Sequence, residues 1–226
     1  MKQTRHLLIA LALGTMLTSC GASVSTATVT GPAAYVDPYI GSGGHGHVFV
    51  GASVPFGAIQ AGPQNIHKGW DWCSGYHHSD SIVIGFAHTH LSGTGCTDMG
   101  DVQIMPYTGE LRSKRGRQED IGGSCSSYYS HDNESVSPGY YSLKMNNGVQ
   151  IEMTASTRTA LHRITYPEAE GRRLLINLEE GNGDGAYDTY LRQTDAHTVE
   201  GYRFSKGWGP HKVFFALTTD LSLIHI

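Results

Sequence analysis

Apolar and polar residues alternate in short runs along most of this chain, and Gly, Pro and Asn interrupt the alternation every few residues. The clearest case is Tyr140-Ser-Leu-Lys-Met, followed by Asn146-Asn147-Gly148 and then Val149-Gln-Ile-Glu-Met. Both arms keep the period of two that a half-buried strand needs, and Asn-Gly is the residue pair that a tight hairpin turn favours. Ile82-Val83-Ile84-Gly85-Phe86 is instead continuously apolar and reads as a short buried strand. Further strands are predicted at Val48–Val50, Gly57–Ala61, Val102–Met105, Ala160–Thr165, Arg173–Leu178, Gly201–Phe204 and Val213–Leu217. Turn signals such as Ser137-Pro138-Gly139 and Tyr166-Pro167 join them. Many short strands at fairly even spacing, with no repeated loop-and-helix units, predict an all-β fold built as an antiparallel β-sandwich.

The two ends break this pattern. Lys2 and Arg5 precede an apolar run from His6 to Met16, which is too short to span a bilayer as a helix. The run ends in Leu17-Thr18-Ser19-Cys20-Gly21, which looks like a bacterial lipobox. Residues 1–20 are therefore expected to be a lipoprotein signal peptide, with Cys20 as the lipidated residue that ties the protein to a membrane. That implies export to the outer membrane, the cell surface or the periplasm. The Ser/Thr/Ala-rich stretch within 21–34 suits a flexible tether, and the sandwich is expected over 35–217. Residues 218–226 stop in Leu-Ile-His-Ile without a cap or polar tail, which suggests a truncated or non-native end.

Composition narrows the choice of partner. The chain has 226 residues, 29 of them Gly and 12 Tyr, and a net charge of −4. No basic stripe exists, so nucleic acid is excluded as an expected partner. The one cationic cluster, Arg112 to Arg117, is followed at once by Glu119 and Asp120 and reads as a solvated loop. Gly41 to His47 is Gly-rich but lacks the Lys-Ser/Thr ending of a phosphate loop.

Candidate chemistry concentrates between Gly69 and Asp101, which holds two Trp, four His, two Cys and four Asp, with no Lys, Arg or Glu. Gly69-Trp70-Asp71-Trp72 sets two large aromatics around one carboxylate, a good platform for the apolar C–H face and hydroxyls of a sugar. His45-Gly-His47 and His88-Thr-His90 are His-x-His pairs; on a strand both rings would reach one metal, and with Asp98 or Asp101 they could form a zinc hydrolase site. Alternate His are also found as hydrogen-bonded groups in loop-rich cores. Cys73 and Cys96 flank the same strand and could pair in an oxidising compartment, or remain free thiols. Asp71, Asp80, Asp98, Asp101, Glu179, Glu180 and Asp184 are available for glycoside hydrolysis, but no spacing singles out a pair. Asn182-Gly183-Asp184-Gly185 lacks the remaining ligands of a calcium loop and reads as a turn.

Four segments carry a family resemblance: Val36–His47, Val54–Gly57, Gly69–His77 and Gly85–Cys96. In order and in motif they resemble glycoside hydrolase family 92, exo-acting α-mannosidases, from Tyr35 to roughly Phe215. The resemblance implies a β-sandwich that precedes a C-terminal (α/α)6 barrel, which is missing here. It also implies an inverting, calcium-dependent enzyme acting on mannose-containing glycans, with acid, base and most calcium ligands on that barrel. No catalytic residue and no metal ligand is then expected in this chain, which alone would be inactive. The expected sugar contacts are Trp70, Asp71, Trp72, Tyr76, His77 and His90. A stand-alone carbohydrate-binding sandwich is the alternative, and a zinc hydrolase built on the His pairs a third.

Overall fold

The computed structural model describes residues 30–116 and 124–223; the expected signal peptide, Cys20 and most of the expected tether lie outside them. Among the described residues there are thirteen strands. They are β1 (Ala52–Ser53), β2 (Gln60–Asn65), β3 (Ile82–Ala87), β4 (Gln103–Thr108), β5 (Ser127–Tyr128), β6 (Glu134–Ser137) and β7 (Tyr140–Lys144). After them come β8 (Gln150–Ala155), β9 (Ala160–Thr165), β10 (Arg172–Asn177), β11 (Gly185–Gln193), β12 (Thr198–Lys206) and β13 (Pro210–Thr218). The only helical pieces described are 3-10 turns such as Gly31–Tyr35, Trp70–Trp72 and His131–Asn133.

The strands form three antiparallel sheets. One runs β1-β2-β3-β4-β10 with β5 beside β3, a second is the meander β6-β7-β8-β9, and a third is β11-β12-β13. The first two pack face to face, β1 and β2 against β7 and β8. Their shared core contains Ala61, Val83, Phe86 and Ile104 from one sheet and Tyr141, Leu143, Ile151 and Met153 from the other. Burying each of the larger of these side chains stabilises the fold by roughly 1.5–3 kcal/mol. The all-β sandwich expected from the alternation is thus the architecture observed.

The details of the alternation are also visible. Tyr141, Leu143, Ile151 and Met153 are buried while their strand neighbours are partly or wholly exposed. All six residues of β3 are buried, as a continuous apolar run requires. The hairpin between β7 and β8 has a three-residue loop rather than a two-residue one. Gly148 lies at φ +87 and donates to the Met145 carbonyl, while the Met145 N–H donates to Val149. This is the bulged hairpin turn in which Gly takes the left-handed position.

Other expectations fail for local reasons. Val48–Val50 is not a strand, because Val48 N–H goes to the Gly41 carbonyl and Phe49 N–H to Ser92 Oγ. Nine-residue β11 was not signalled at all. Most of its residues are exposed, and a register shift between Ala186 and Asp188 breaks its period of two. Its ladder comes from β12, an interaction that a single-strand pattern does not report.

The third sheet is tied to the sandwich by charge as well as by Leu217 of β13, which packs against the core. Arg203 of β12 is fully buried. Its guanidinium donates to Asp101 Oδ1, to both Asp184 oxygens at 3.1 and 3.0 Å, and to the Leu178 carbonyl at 3.0 Å. His211 Nε2 reaches Asp101 at 3.0 Å. The Asn182–Gly185 segment turns as expected, but Asp184 within it serves as an ion-pair partner.

Candidate functional site

The 3-10 turn Trp70–Trp72 presents the one open aromatic face of the Gly69–Asp101 stretch. Trp70 is 59% exposed. Its indole N–H donates to the Gly95 carbonyl at 2.9 Å, and the His47 ring meets it edge-on at 4.2 Å. Gly95 lies at φ +70, and a Cβ there would come within 3.1 Å of Trp70 Nε1. Only glycine combines that backbone with that approach. His47 itself sits at φ +56, a sparsely used region for a residue with a side chain.

Asp71 lies beside this ring with its side chain 28% exposed. His45 Nδ1 donates to Asp71 Oδ1, and His47 Nε2 stands 3.5 Å from the same oxygen. The hydrogen bond from His45 is the main reason its carboxyl is held below the usual carboxylate range; partial desolvation opposes it. Asp71 is therefore an ionised acceptor at neutral pH, suited to receiving sugar hydroxyls and unsuited to donating a proton.

Trp72 has a different task. Its indole N–H donates to Asp80 Oδ2 at 2.8 Å, its ring stacks on His77 at 4.4 Å, and Lys68 Nζ sits 5.7 Å over the ring. Lys68 also pairs with Asp80 at 2.9 Å. Trp72 is thus half-buried and fixes the loop that carries Trp70.

Three of the six expected sugar contacts do not reach the surface. Tyr76 is 1% exposed and donates to Glu134 Oε2 at 3.0 Å. His77 is buried, accepts at Nδ1 from the Ser79 hydroxyl and N–H, and donates at Nε2 to the Gly44 carbonyl. His90 is 3% exposed, donates from Nδ1 to the Gln60 carbonyl at 2.8 Å and stacks on Phe49. Desolvation pushes the His90 imidazole down to about 4, so it is neutral. Residues 73–77 run buried beneath the loop before the chain returns to the surface at His78, and His90 lies underneath as well.

The His-x-His pairs do not converge. His45 and His47 face Asp71, whereas His88 bonds to Val102 and His162, and His90 to Gln60. Asp98 is capped by the N–H groups of Met99 and Gly209, and Asp101 is held by Arg203, Thr89 and His211. The zinc hydrolase expectation fails on this placement. Cys73 and Cys96 are both free, so the pairing left open by the sequence is not made; burial chiefly pushes the Cys73 thiol up.

The family model for the glycosyl hydrolase family 92 N-terminal domain matches residues 35–224. The chain belongs to glycosyl hydrolase family 92. It is 38% identical, with a TM-score of 0.81, to a solved GH92 α-mannosidase from Bacteroides thetaiotaomicron in complex with mannoimidazole, covering 84% of this chain and 25% of that one. A GH92 inverting mannosidase from Bacteroides thetaiotaomicron VPI-5482 matches with a TM-score of 0.65 and 27% identity, over 81% of this chain and 24% of that one. A curated protein of Arthroderma benhamiae, described as an uncharacterized secreted glycosidase, is 32% identical over 66% of this chain and 18% of its own length. The chain thus spans about a quarter or less of these relatives.

Family membership makes calcium a question to put to these loops. Calcium takes about six to eight oxygen ligands from carboxylates, carbonyls and water. Of the four aspartates between Gly69 and Asp101, three are buried and already engaged, and Asp71 is taken up by His45 and His47. The aspartates of this stretch are thus held by partners within the protein. They also offer only one accessible carboxylate in this stretch, where glycoside hydrolysis needs two. The pairing of Asp71 with His45 and His47 went unseen in the sequence because β1 and β2 lie between them, more than twenty positions along the chain.

Proposed function

We propose that this chain is the N-terminal sandwich of a longer, exported exo-α-mannosidase. Its Trp70–Asp71 edge would contact a terminal mannose of a glycan, and sequence outside it would supply the acid and base. The observation that carries this reading is the open indole of Trp70 beside a carboxylate held ionised by His45. The names of the solved relatives support mannose as the sugar, and the secreted fungal relative supports export. Trp70 would stack on the apolar face of the pyranose, and Asp71 would accept from ring hydroxyls. Inversion would need a water between acid and base, with the two carboxyl groups about 6.5–9.5 Å apart. Calcium would belong to the longer enzyme, and Cys20 would carry its lipid anchor.

Two measurements test this. The purified chain should show no calcium-dependent hydrolysis of an aryl α-mannoside; turnover by the chain alone refutes the division of labour. In the longer enzyme, Trp70→Ala should lower kcat/KM by about 10–100-fold, equivalent to losing about 1.4–3 kcal/mol of stacking and contact. Unchanged kinetics refute the sugar platform. A second reading, a stand-alone carbohydrate-binding sandwich, is favoured by the exposed aromatic face of β11–β13, where Tyr190, Tyr202, Phe204 and Phe214 lie ring against ring. Calorimetry separates the two, because that reading requires the chain alone to bind mannosides tightly.

A further inference from the structure

A second concentration of polar side chains lies where the loop before β3 meets the start of β6. His78 belongs to that loop, His131 opens the 3-10 turn His131–Asn133, and Glu134 is the first residue of β6. One ring nitrogen of each histidine and one oxygen of Glu134 all lie within 4.8 Å of one another. The two imidazoles are 4.2 Å apart between centroids. Among the described residues this is the one group of three such ligand atoms drawn so close together.

The carboxylate is the unusual member. Its side chain is fully buried. Tyr141 donates to Oε1 at 2.6 Å, Tyr76 donates to Oε2 at 3.0 Å, and His131 Nδ1 stands 2.7 Å from Oε2. Among the described residues no Lys or Arg pairs with it. A buried carboxylate without a permanent cation is costly unless a positive charge arrives from elsewhere. His131 Nε2 is a second sign, being buried with no hydrogen-bond partner. Two imidazoles and a carboxylate are the donor set of zinc and its neighbours, not of calcium or magnesium, which prefer oxygen alone.

We propose that His78, His131 and Glu134 form a binding site for one divalent transition-metal ion, zinc in the first instance. Tyr76 and Tyr141 are its positioning residues: their phenols hold the Glu134 carboxylate from behind, as outer partners of metal ligands do. Tetrahedral bonds of about 2.0–2.1 Å require donor atoms about 3.3 Å apart, so the cluster must close from its present spacing. His78 is exposed, and to turn inward it must give up the 3.3 Å contact of its Nδ1 with the Tyr76 hydroxyl and shift against Tyr39. Three protein ligands leave the fourth position to water on the His78 side, the composition of an open zinc site. The site is independent of any action on sugars.

The test titrates the purified, chelator-treated chain with Zn2+ by calorimetry and with Co2+ by visible absorption. One equivalent should bind, and Co2+ should give the intense absorption of a low-coordinate site. His78→Ala and His131→Ala should each weaken binding at least about tenfold, the lower bound set by losses of mere outer partners. Zn2+ should raise the Tm of the parent chain, through binding the folded form, and not that of His78→Ala. His45→Ala should bind as the parent does. Because His78 is exposed, its variant should keep the fold even if the others do not, and circular dichroism checks this. Sub-stoichiometric binding overturns the proposal and leaves a His131–Glu134 ion pair in its place. So does unchanged affinity in His78→Ala.

Discussion

Acidification should destabilise this sandwich through two desolvated histidines, buried His90 and partly buried His162. His88 Nδ1 lies 2.6 Å from the Val102 carbonyl and must carry the proton there, which leaves Nε2 bare. His162 on β9 lies 2.9 Å away, Nε2 to Nε2, so it donates to His88 and its own Nδ1 is the bare nitrogen, buried and without a partner. Desolvation first, and His88 second, push His162 down to about 3. His90 is pushed down to about 4 by desolvation, which outweighs its bond to Gln60. The ordinary value in an unfolded chain is 6.5. Between that value and the folded ones, the unfolded state binds more protons, so stability rises with pH and is lost as pH falls below about 6.5. At about pH 5, linkage makes each of His90 and His162 cost roughly 2 kcal/mol relative to about pH 7.5.

His211 acts in the opposite direction. Burial pushes it down, but the Gly209 carbonyl and Asp101 outweigh that and raise it, so its contribution is present at low pH and lost as pH rises. The parent chain alone therefore reports a sum, and a variant isolates the term. Urea unfolding at the two pH values should show a loss of about 2–4 kcal/mol, or a midpoint shift of about 1–2 M at ordinary m-values. In His162→Leu the acid-induced loss should shrink by about 2 kcal/mol, whatever the variant costs at neutral pH. An equal acid-induced loss in His162→Leu and the parent, within about 0.5 kcal/mol, would refute the reasoning.

Two further outcomes are expected. Arg203→Met leaves Asp184 buried without its cation and Asp101 with only His211 and Thr89, which should cost about 3–5 kcal/mol in urea unfolding; a cost below about 1 kcal/mol would show that the third sheet is held otherwise. Gly95→Ala, at φ +70 and against the Trp70 indole, should destabilise by about 1–2 kcal/mol and shift Trp emission as Trp70 is displaced; parental emission and stability would count against the packing described.

Much of the fold was legible in the chain. The β7–β8 hairpin, the buried β3 and the partly buried β9 follow from period-two alternation, continuous apolar runs and Gly at a left-handed position, all of them local signals. β11 was not legible, because it has little to bury and its regularity comes from pairing with β12. The candidate site divided in the same way. Trp70 and Asp71 could be named, since an aromatic beside a carboxylate is a local pattern. That Trp72, Tyr76, His77 and His90 hold the loop in place from within could not, because their surroundings come from Asp80, Glu134, Gly44 and Gln60, distant along the chain.

By itself the sequence determined the class of fold, the family and the stretch in which chemistry gathers, since each is written in neighbouring residues. Only the tertiary structure decided which of those side chains meet solvent and which satisfy buried partners. The His-x-His pairs separate because the loops that bear them close on different partners. His78, His131 and Glu134, more than fifty positions apart at their extremes, come together because β6 and the loop before β3 pack around one buried carboxylate. Solvation and proximity are properties of the folded surface, and no local pattern encodes them.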